Sequence, residues 1–244
     1  MDIQGRVALV TGGAHRVGKA IALAMAQAGA HIAITYNASA DQAQTTVTEI
    51  KRLGVRSIAA RCDQQALADI ERLFETLRRE FDQLDILINS AAIMEAKPAL
   101  DVTAADWERV INTNLRGPFF IAQAAAKWML ADGHGGAIVN IADLSAMHPW
   151  PSYVTHTISK SGGVAMTEAL ALALAPAIRV NAIAPGTVLK PPDWSDERWQ
   201  KLADSLPLRR AGSPTDAADA VLYCLRSDFM TGQTLVIDGG RVLK

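Results

Sequence analysis

Short apolar runs alternate along this chain with longer segments whose apolar residues recur at helical spacing. The runs at 6–11, 31–35, 55–61, 84–89, 137–141, 178–183 and 234–237 are rich in Val, Ile, Leu or Ala, which predicts strands. They are apolar throughout rather than alternating, the pattern of a parallel sheet covered by helices on both faces. Helix signals fall between them. Ser39 opens a helix that ends near Leu53-Gly54, where glycine suits a C-terminal stop. Asp101 or Thr103 opens the helix carrying Trp107 and Val110, and Ser213-Pro214 reads as N-cap and first turn of the last helix. The rhythm predicts an α/β fold: a single Rossmann-type domain over residues 1–244, with a doubly wound parallel sheet of about seven strands. One stretch breaks the rhythm. Residues 186–207, after Pro185, hold Pro191-Pro192, Trp194 and Trp199 without a regular pattern, which reads as a substrate loop or a packed surface excursion.

The first strand runs into Thr11-Gly12-Gly13-Ala14-His15-Arg16-Val17-Gly18 and then an Ala-rich helix. Strand, glycine turn and helix N-terminus make a diphosphate site, because glycines admit the phosphates and the helix offers unpaired N–H groups. The second strand ends at Tyr36-Asn37-Ala38-Ser39, with no carboxylate before Asp41. An NAD-preferring site usually places Asp or Glu there. With no anion to repel it, and with Arg16 nearby, a 2′-phosphate is favoured, so the expected cofactor is NADP(H).

Composition narrows the partners. Half of the 244 residues are hydrophobic and a fifth are charged, enough for a sizeable core. A net charge of −1 gives no reason to expect nucleic acid or a membrane surface. Cys62 and Cys224 lack metal spacing and read as buried free thiols. The histidines show no ligand spacing, so no catalytic metal is expected. Val7-Ala8-Leu9-Val10 gives way at once to the glycine turn, unlike a secretory segment, and no apolar stretch is long enough to span a bilayer. A soluble cytoplasmic protein acting on a small molecule is the expectation.

Further motifs stand in order along the chain. Asp63 follows the third strand, Asn89-Ser90-Ala91 the fourth, and Asn112-Thr113-Asn114 lies in a helix. Ser159-Lys160, Asn181 to Gly186, and Thr231-Gly232-Gln233 with Asp238-Gly239-Gly240 complete the series. Over its full length the chain thus resembles the short-chain dehydrogenase/reductase family. The resemblance implies that Gly12, His15, Arg16, Val17 and Gly18 line the diphosphate, with Tyr36, Asn37 and Ser39 at the adenosine ribose. It implies that Asp63 meets the adenine, that Asn89 and Ala91 lie along the cofactor, and that Lys160 holds the nicotinamide ribose. Pro185, Gly186 and Val188 would flank the nicotinamide, and Asn114 would hold the helix geometry and a relay water. A homotetramer or homodimer is implied too, with residues 164–175 partly in an interface, where the sequence alone reads a merely buried helix. Within the family the chain is most similar to pteridine reductases. Arg16 replaces a loop glycine and Asp143 replaces the catalytic serine, as in those NADPH enzymes. Ala92 and Met94 stand where they carry a serine and a phenylalanine, leaving Met94, Trp150, Tyr153 and Trp194 as the substrate-side candidates.

The proton is the open question. The family's tyrosine position, four residues before Lys160, is His156. That spacing puts both side chains on one helix face. A free imidazole titrates near ~6.5, and a neighbouring lysine and an oxidised nicotinamide disfavour its charged form. Three readings follow. His156 relays protons with Asp143 as its partner, in a slow or acid-favoured reduction of a small planar C=O or C=N compound. Alternatively, Tyr153 takes part from three residues upstream. In the third reading, the fold binds NADP(H) without turnover, as a pseudoenzyme with a regulatory or binding role.

Overall fold

A computed structural model describes residues 1–131 and 133–243. All seven apolar runs are strands: β1 (Val7–Val10), β2 (His31–Tyr36), β3 (Ser57–Arg61), β4 (Ile86–Asn89), β5 (Gly136–Ile141), β6 (Ile178–Pro185) and β7 (Thr234–Ile237). Each pairs in parallel with its neighbours, in the order β3-β2-β1-β4-β5-β6-β7. The chain winds outward from β1 to β3, returns to β4 beside β1, and then winds the other way. The loops after β1 and β4 therefore part at the C-terminal edge of the sheet, and a crevice opens between them.

Eight α-helices cover the sheet among the described residues: α1 (Arg16–Gln27), α2 (Ala40–Lys51), α3 (Leu67–Glu80), α4 (Ala104–Ile111), α5 (Gly117–Ala131), α6 (Val154–Leu174), α7 (Asp196–Ser205) and α8 (Pro214–Arg226). Strand side chains alternate between two cores. Ala8, Val10, Ile32, Ile34 and Ile88 pack with α1, α2 and α8 through Met25, Ile50 and Val221. Val7, Leu9, Ala33, Leu87 and Val180 pack with α3, α5 and α6 through Leu73, Ile121 and Ala171. Both strand faces are buried, which is why the runs carry no polar alternation. Thr103 closes a reciprocal capping box with Asp106, and at Ser213 the Asp216 carboxylate accepts from Ser213 N at 2.6 Å and from its hydroxyl at 2.9 Å. Ser39 stands at the N-cap of α2, but its side chain makes no capping bond.

Three elements differ from the sequence expectation. Residues 186–207 are not irregular throughout, because α7 runs inside them behind Ser195, whose hydroxyl accepts from Arg198 N at 3.2 Å. Only Ala203 of α7 is buried, so its sequence carries no apolar stripe to betray it. Residues 164–175 are not a helix of their own or merely buried. They close α6, the helix that also carries His156 and Lys160, and Leu172 there is 85 % exposed. Between α4 and α5 the chain loosens into a π-helical turn, Asn112–Arg116. Such turns recur at functional sites.

Cys62 and Cys224 are buried free thiols, as expected. Burial pushes them up to about 12 and about 11 respectively, which leaves them inert at neutral pH. No helix among the described residues is long and apolar enough to cross a membrane.

Candidate active site

The glycine turn sits at the mouth of the crevice. Thr11 Oγ1 accepts from Ser90 N at 2.9 Å and Ala91 N at 3.0 Å, which ties the loops after β1 and β4 together. The backbones there leave no room for side chains. A Cβ on Gly12 would stand 2.8 Å from Ala91 Cα, and one on Gly18 would stand 2.3 Å from Gly12 O. The N-cap of α1, His15, makes no side-chain capping bond, so the helix's first N–H groups are left to a ligand or water. Arg16 is exposed and adopts φ +56°, a left-handed conformation that costs a non-glycine residue roughly 1–2 kcal/mol.

Val17 is half-buried behind this turn. Tyr36 ends β2, with Asn37 exposed and Ser39 half-buried just beyond it. Asp63 follows β3, its carboxylate holding the turn by accepting from Gln65 N at 3.0 Å. Turn, strand end and Asp63 form one rim along the C-terminal ends of β1 to β3. This glycine cradle with open helix N–H groups fits a dinucleotide.

The chemistry gathers on α6. His156 is 3 % exposed and Lys160 is 7 % exposed, one helical turn apart. His156 Nδ1 lies 3.1 Å from Ile93 O, in the loop after β4. From the π turn, Asn114 clamps the same residue. Its Oδ1 accepts from Ile93 N and its Nδ2 donates to Ile93 O, both at 2.9 Å. On the far side of the imidazole, Nε2 stands 3.9 Å from Asp143 Oδ1, a separation longer than a hydrogen bond. Asp143 also caps a short 3₁₀ turn (Leu144–Ala146), accepting from Ser145 N at 2.7 Å. Burial raises its carboxyl, but His156 and Ser145 outweigh that and hold it below the usual carboxylate range. For Lys160, burial lowers the amine more than Asp143 raises it. Its Nζ donates to Ile141 O at 2.7 Å.

Behind Lys160 lies a cavity of about 20 Å³ lined by Asn89, Asn114, Asn140 and Lys160, room for one water. Asn89 does not face the crevice with its side chain. Its Nδ2 donates to Asn140 Oδ1 at 3.0 Å and to Pro118 O at 3.3 Å, bracing β4 against β5.

The other candidates divide. Pro185 ends β6, and a Cβ on Gly186 would meet Asp238 Cβ at 2.6 Å, so glycine lets β6 and β7 converge there. Val188 is buried, its N–H donating to Gly186 O at 2.9 Å. Trp150 packs edge-on against Tyr153, centroids 5.9 Å apart. Arg241 covers the Trp150 ring at 5.3 Å and reaches Thr187 Oγ1 at 3.3 Å. Met94 is half-exposed. Trp194 belongs to a separate cluster with Trp199 and Arg198. Tyr153 precedes α6 as its N-cap residue. Sequence reasoning missed Ile93, Ser159 and Arg241. Ile93 acts through its backbone, which leaves no residue-type signal. Ser159 stood in view only as the neighbour of Lys160.

Residues 12–241 match the family model described as enoyl-(acyl carrier protein) reductase. The L-rhamnose 1-dehydrogenase (NAD(P)(+)) of a Sphingomonas species is 35 % identical over 98 % of this chain and 96 % of its own. Glucose 1-dehydrogenase 2 of Bacillus subtilis is 33 % identical over 99 % and 96 %. The crystal structure of acetoin dehydrogenase from Salmonella typhimurium superposes with a TM-score of 0.90 at 31 % identity, covering 98 % of each chain. With the crevice, the glycine cradle and the α6 pair in place, these likenesses run end to end, and the chain belongs to the short-chain dehydrogenase/reductase family of oxidoreductases.

Proposed function

We propose that the protein is an NADP(H)-dependent oxidoreductase that interconverts an alcohol and a carbonyl, with His156 as its proton-transfer group. The observation that carries this is the convergence of His156, Lys160, Asp143 and Asn114 beside the glycine cradle. When bound, the nicotinamide supplies the hydride chemistry. Lys160 binds the ribose from its buried position, and Asp143 faces the imidazole that exchanges the proton. The cavity behind Lys160 holds the relay water. Trp150 and Tyr153 line the substrate side, and Met94 stands at its exposed mouth. The exposed Leu172 side of α6 serves a homotetramer or homodimer.

The likeness to pteridine reductases rests on Arg16 and Asp143, whereas the relatives named above are dehydrogenases of sugars and acetoin. The assay therefore spans both chemistries: purified protein with NADP(H), and a panel of dihydropterins, ketones and polyols. Turnover by the wild type is expected. Tight NADP(H) binding with no turnover until His156→Tyr is made would instead establish the pseudoenzyme reading.

Arg16 carries the cofactor preference. Arg16→Gly relieves the left-handed strain and removes the cation. NADP⁺ affinity should fall about 10–100-fold, the worth of a charged hydrogen bond, with NAD⁺ affinity unchanged and no loss of thermal stability. Equal NADP⁺ and NAD⁺ affinity in the wild type would refute this role.

A further inference from the structure

Hydrogen bonding decides which nitrogen of His156 carries the proton. Neighbours fix the Asn114 amide: Oδ1 accepts from Ile93 N, and Nδ2 donates to Ile93 O at 2.9 Å and Ser159 Oγ at 3.0 Å. Both Nδ2 hydrogens are thus committed, and flipping the amide would set Oδ1 against the Ile93 carbonyl. Ser159 Oγ donates its own hydrogen to His156 O at 2.7 Å. His156 Nδ1 stands 3.1 Å from Ile93 O and 3.5 Å from Asn114 Nδ2, whose hydrogens go to the shorter partners at 2.9 and 3.0 Å. A carbonyl only accepts, so Nδ1 carries a hydrogen. Nε2, on the other side of the ring, is buried and has no hydrogen-bond partner among the described residues. The Asp143 carboxylate faces it at 3.9 Å. A hydrogen on Nε2 would be a buried donor held just out of reach of an anion, which is a costly arrangement.

We propose that Ile93 and Asn114 lock His156 as the Nδ1–H tautomer, and that its bare Nε2 pairs with Asp143 as a two-acceptor site for a vicinal diol. The substrate class is then a sugar or polyol, oxidised at one of two adjacent hydroxyl carbons. This rests on the reading of His156 as the proton-transfer group. Two acceptors cannot grip a carbonyl oxygen. They do match a substrate that presents two hydroxyl donors side by side, one to Nε2 and one to the Asp143 carboxylate.

In the step, the O–H bond on the reacting carbon breaks and its proton passes to Nε2. The electron pair left on oxygen would form the C=O bond as the carbinol hydrogen leaves with its pair, the oxidised nicotinamide, when bound, being the hydride acceptor. His156 ends as an imidazolium between the Ile93 carbonyl and the Asp143 carboxylate. Asn114 touches neither substrate nor cofactor here. It is a positioning residue that aims the Ile93 carbonyl.

Nitrogen-15 NMR of histidine-labelled protein without cofactor reads the tautomer directly, with His156 assigned by difference from His156→Gln. The expected ring near neutral pH has Nδ1 protonated and Nε2 bare. Asn114→Ala should give a mixture of tautomers and lower kcat for every alcohol alike. With NADP⁺, the wild type should favour cyclohexane-1,2-diol over cyclohexanol by about tenfold or more in kcat/KM, the worth of one charged hydrogen bond. Asp143→Asn keeps an oxygen for the Ser145 N–H but turns the other arm into a donor. It should bring that ratio near one without changing the tautomer. An Nε2–H or doubly protonated ring overturns the locked base. Oxidation of cyclohexanol without a diol preference, or an unchanged ratio in Asp143→Asn, overturns the substrate class alone. The expected tautomer with neither alcohol oxidised defeats the proton-transfer reading and the diol site with it.

Discussion

His156→Ala is expected to lower kcat/KM by about 10²–10⁴, the span of general acid–base catalysis, while NADP⁺ affinity stays within a few-fold. The two effects separate because the imidazole meets Ile93 O on one side and Asp143 on the other, whereas the glycine cradle is built from β1, α1 and the loop after β4. The side chain is buried, so alanine also opens a cavity and should cost on the order of 1–3 kcal/mol of stability. His156→Gln is the control. Its amide fills much of the same space and can still donate to Ile93 O, but it cannot take up a proton. Activity should fall as far as in the alanine variant while the urea midpoint stays near that of the wild type. If His156→Gln keeps more than about a tenth of the activity, proton transfer runs through another group, and Tyr153 becomes the residue to replace.

The strands were legible because a doubly covered parallel sheet writes itself as unbroken apolar runs, and Leu9 and Val10 are buried on opposite faces of it. The glycine turn was legible because close backbone approach admits only one residue type at Gly12 and Gly18. Helical spacing put His156 and Lys160 on one face, whereas the choice of His156 and Asp143 as site residues came from the family resemblance. Other parts left no trace in residue identity. The clamp on His156 is a backbone carbonyl, and any side chain at position 93 would present the same oxygen. The π turn that carries Asn114 has the composition of an ordinary helix. The helix α7 is nearly all exposed, so burial imposed no period on it. Trp194, one of the substrate-side candidates, stacks under Arg198 and packs edge-on against Trp199 within its own segment.

Lys160→Met should lower kcat/KM by roughly 10²–10³, comparable to removing one donor from a preorganised site, and should change the pH response of the fold in the opposite sense to a lost salt bridge. Burial lowers the Lys160 amine, and Asp143 raises it by less. In the unfolded chain the same amine titrates near ~10.4. Between the lowered folded value and that unfolded value, the unfolded state holds more protons, so the linkage makes stability rise with pH across this window. Below it the cost of burying the charge is fully present. Function should run the other way, because the ammonium that donates to Ile141 O, and that in the proposed reading would hold the ribose, is lost through the same window. Wild-type NADP⁺ affinity should therefore fall along a one-proton limb centred below the ordinary lysine range, while the urea midpoint of the apo protein climbs. In Lys160→Met both slopes should vanish together. A cofactor limb that persists in Lys160→Met would move the ribose contact to another residue. An alkaline stability slope that persists would mean that Lys160 is not the buried amine responsible.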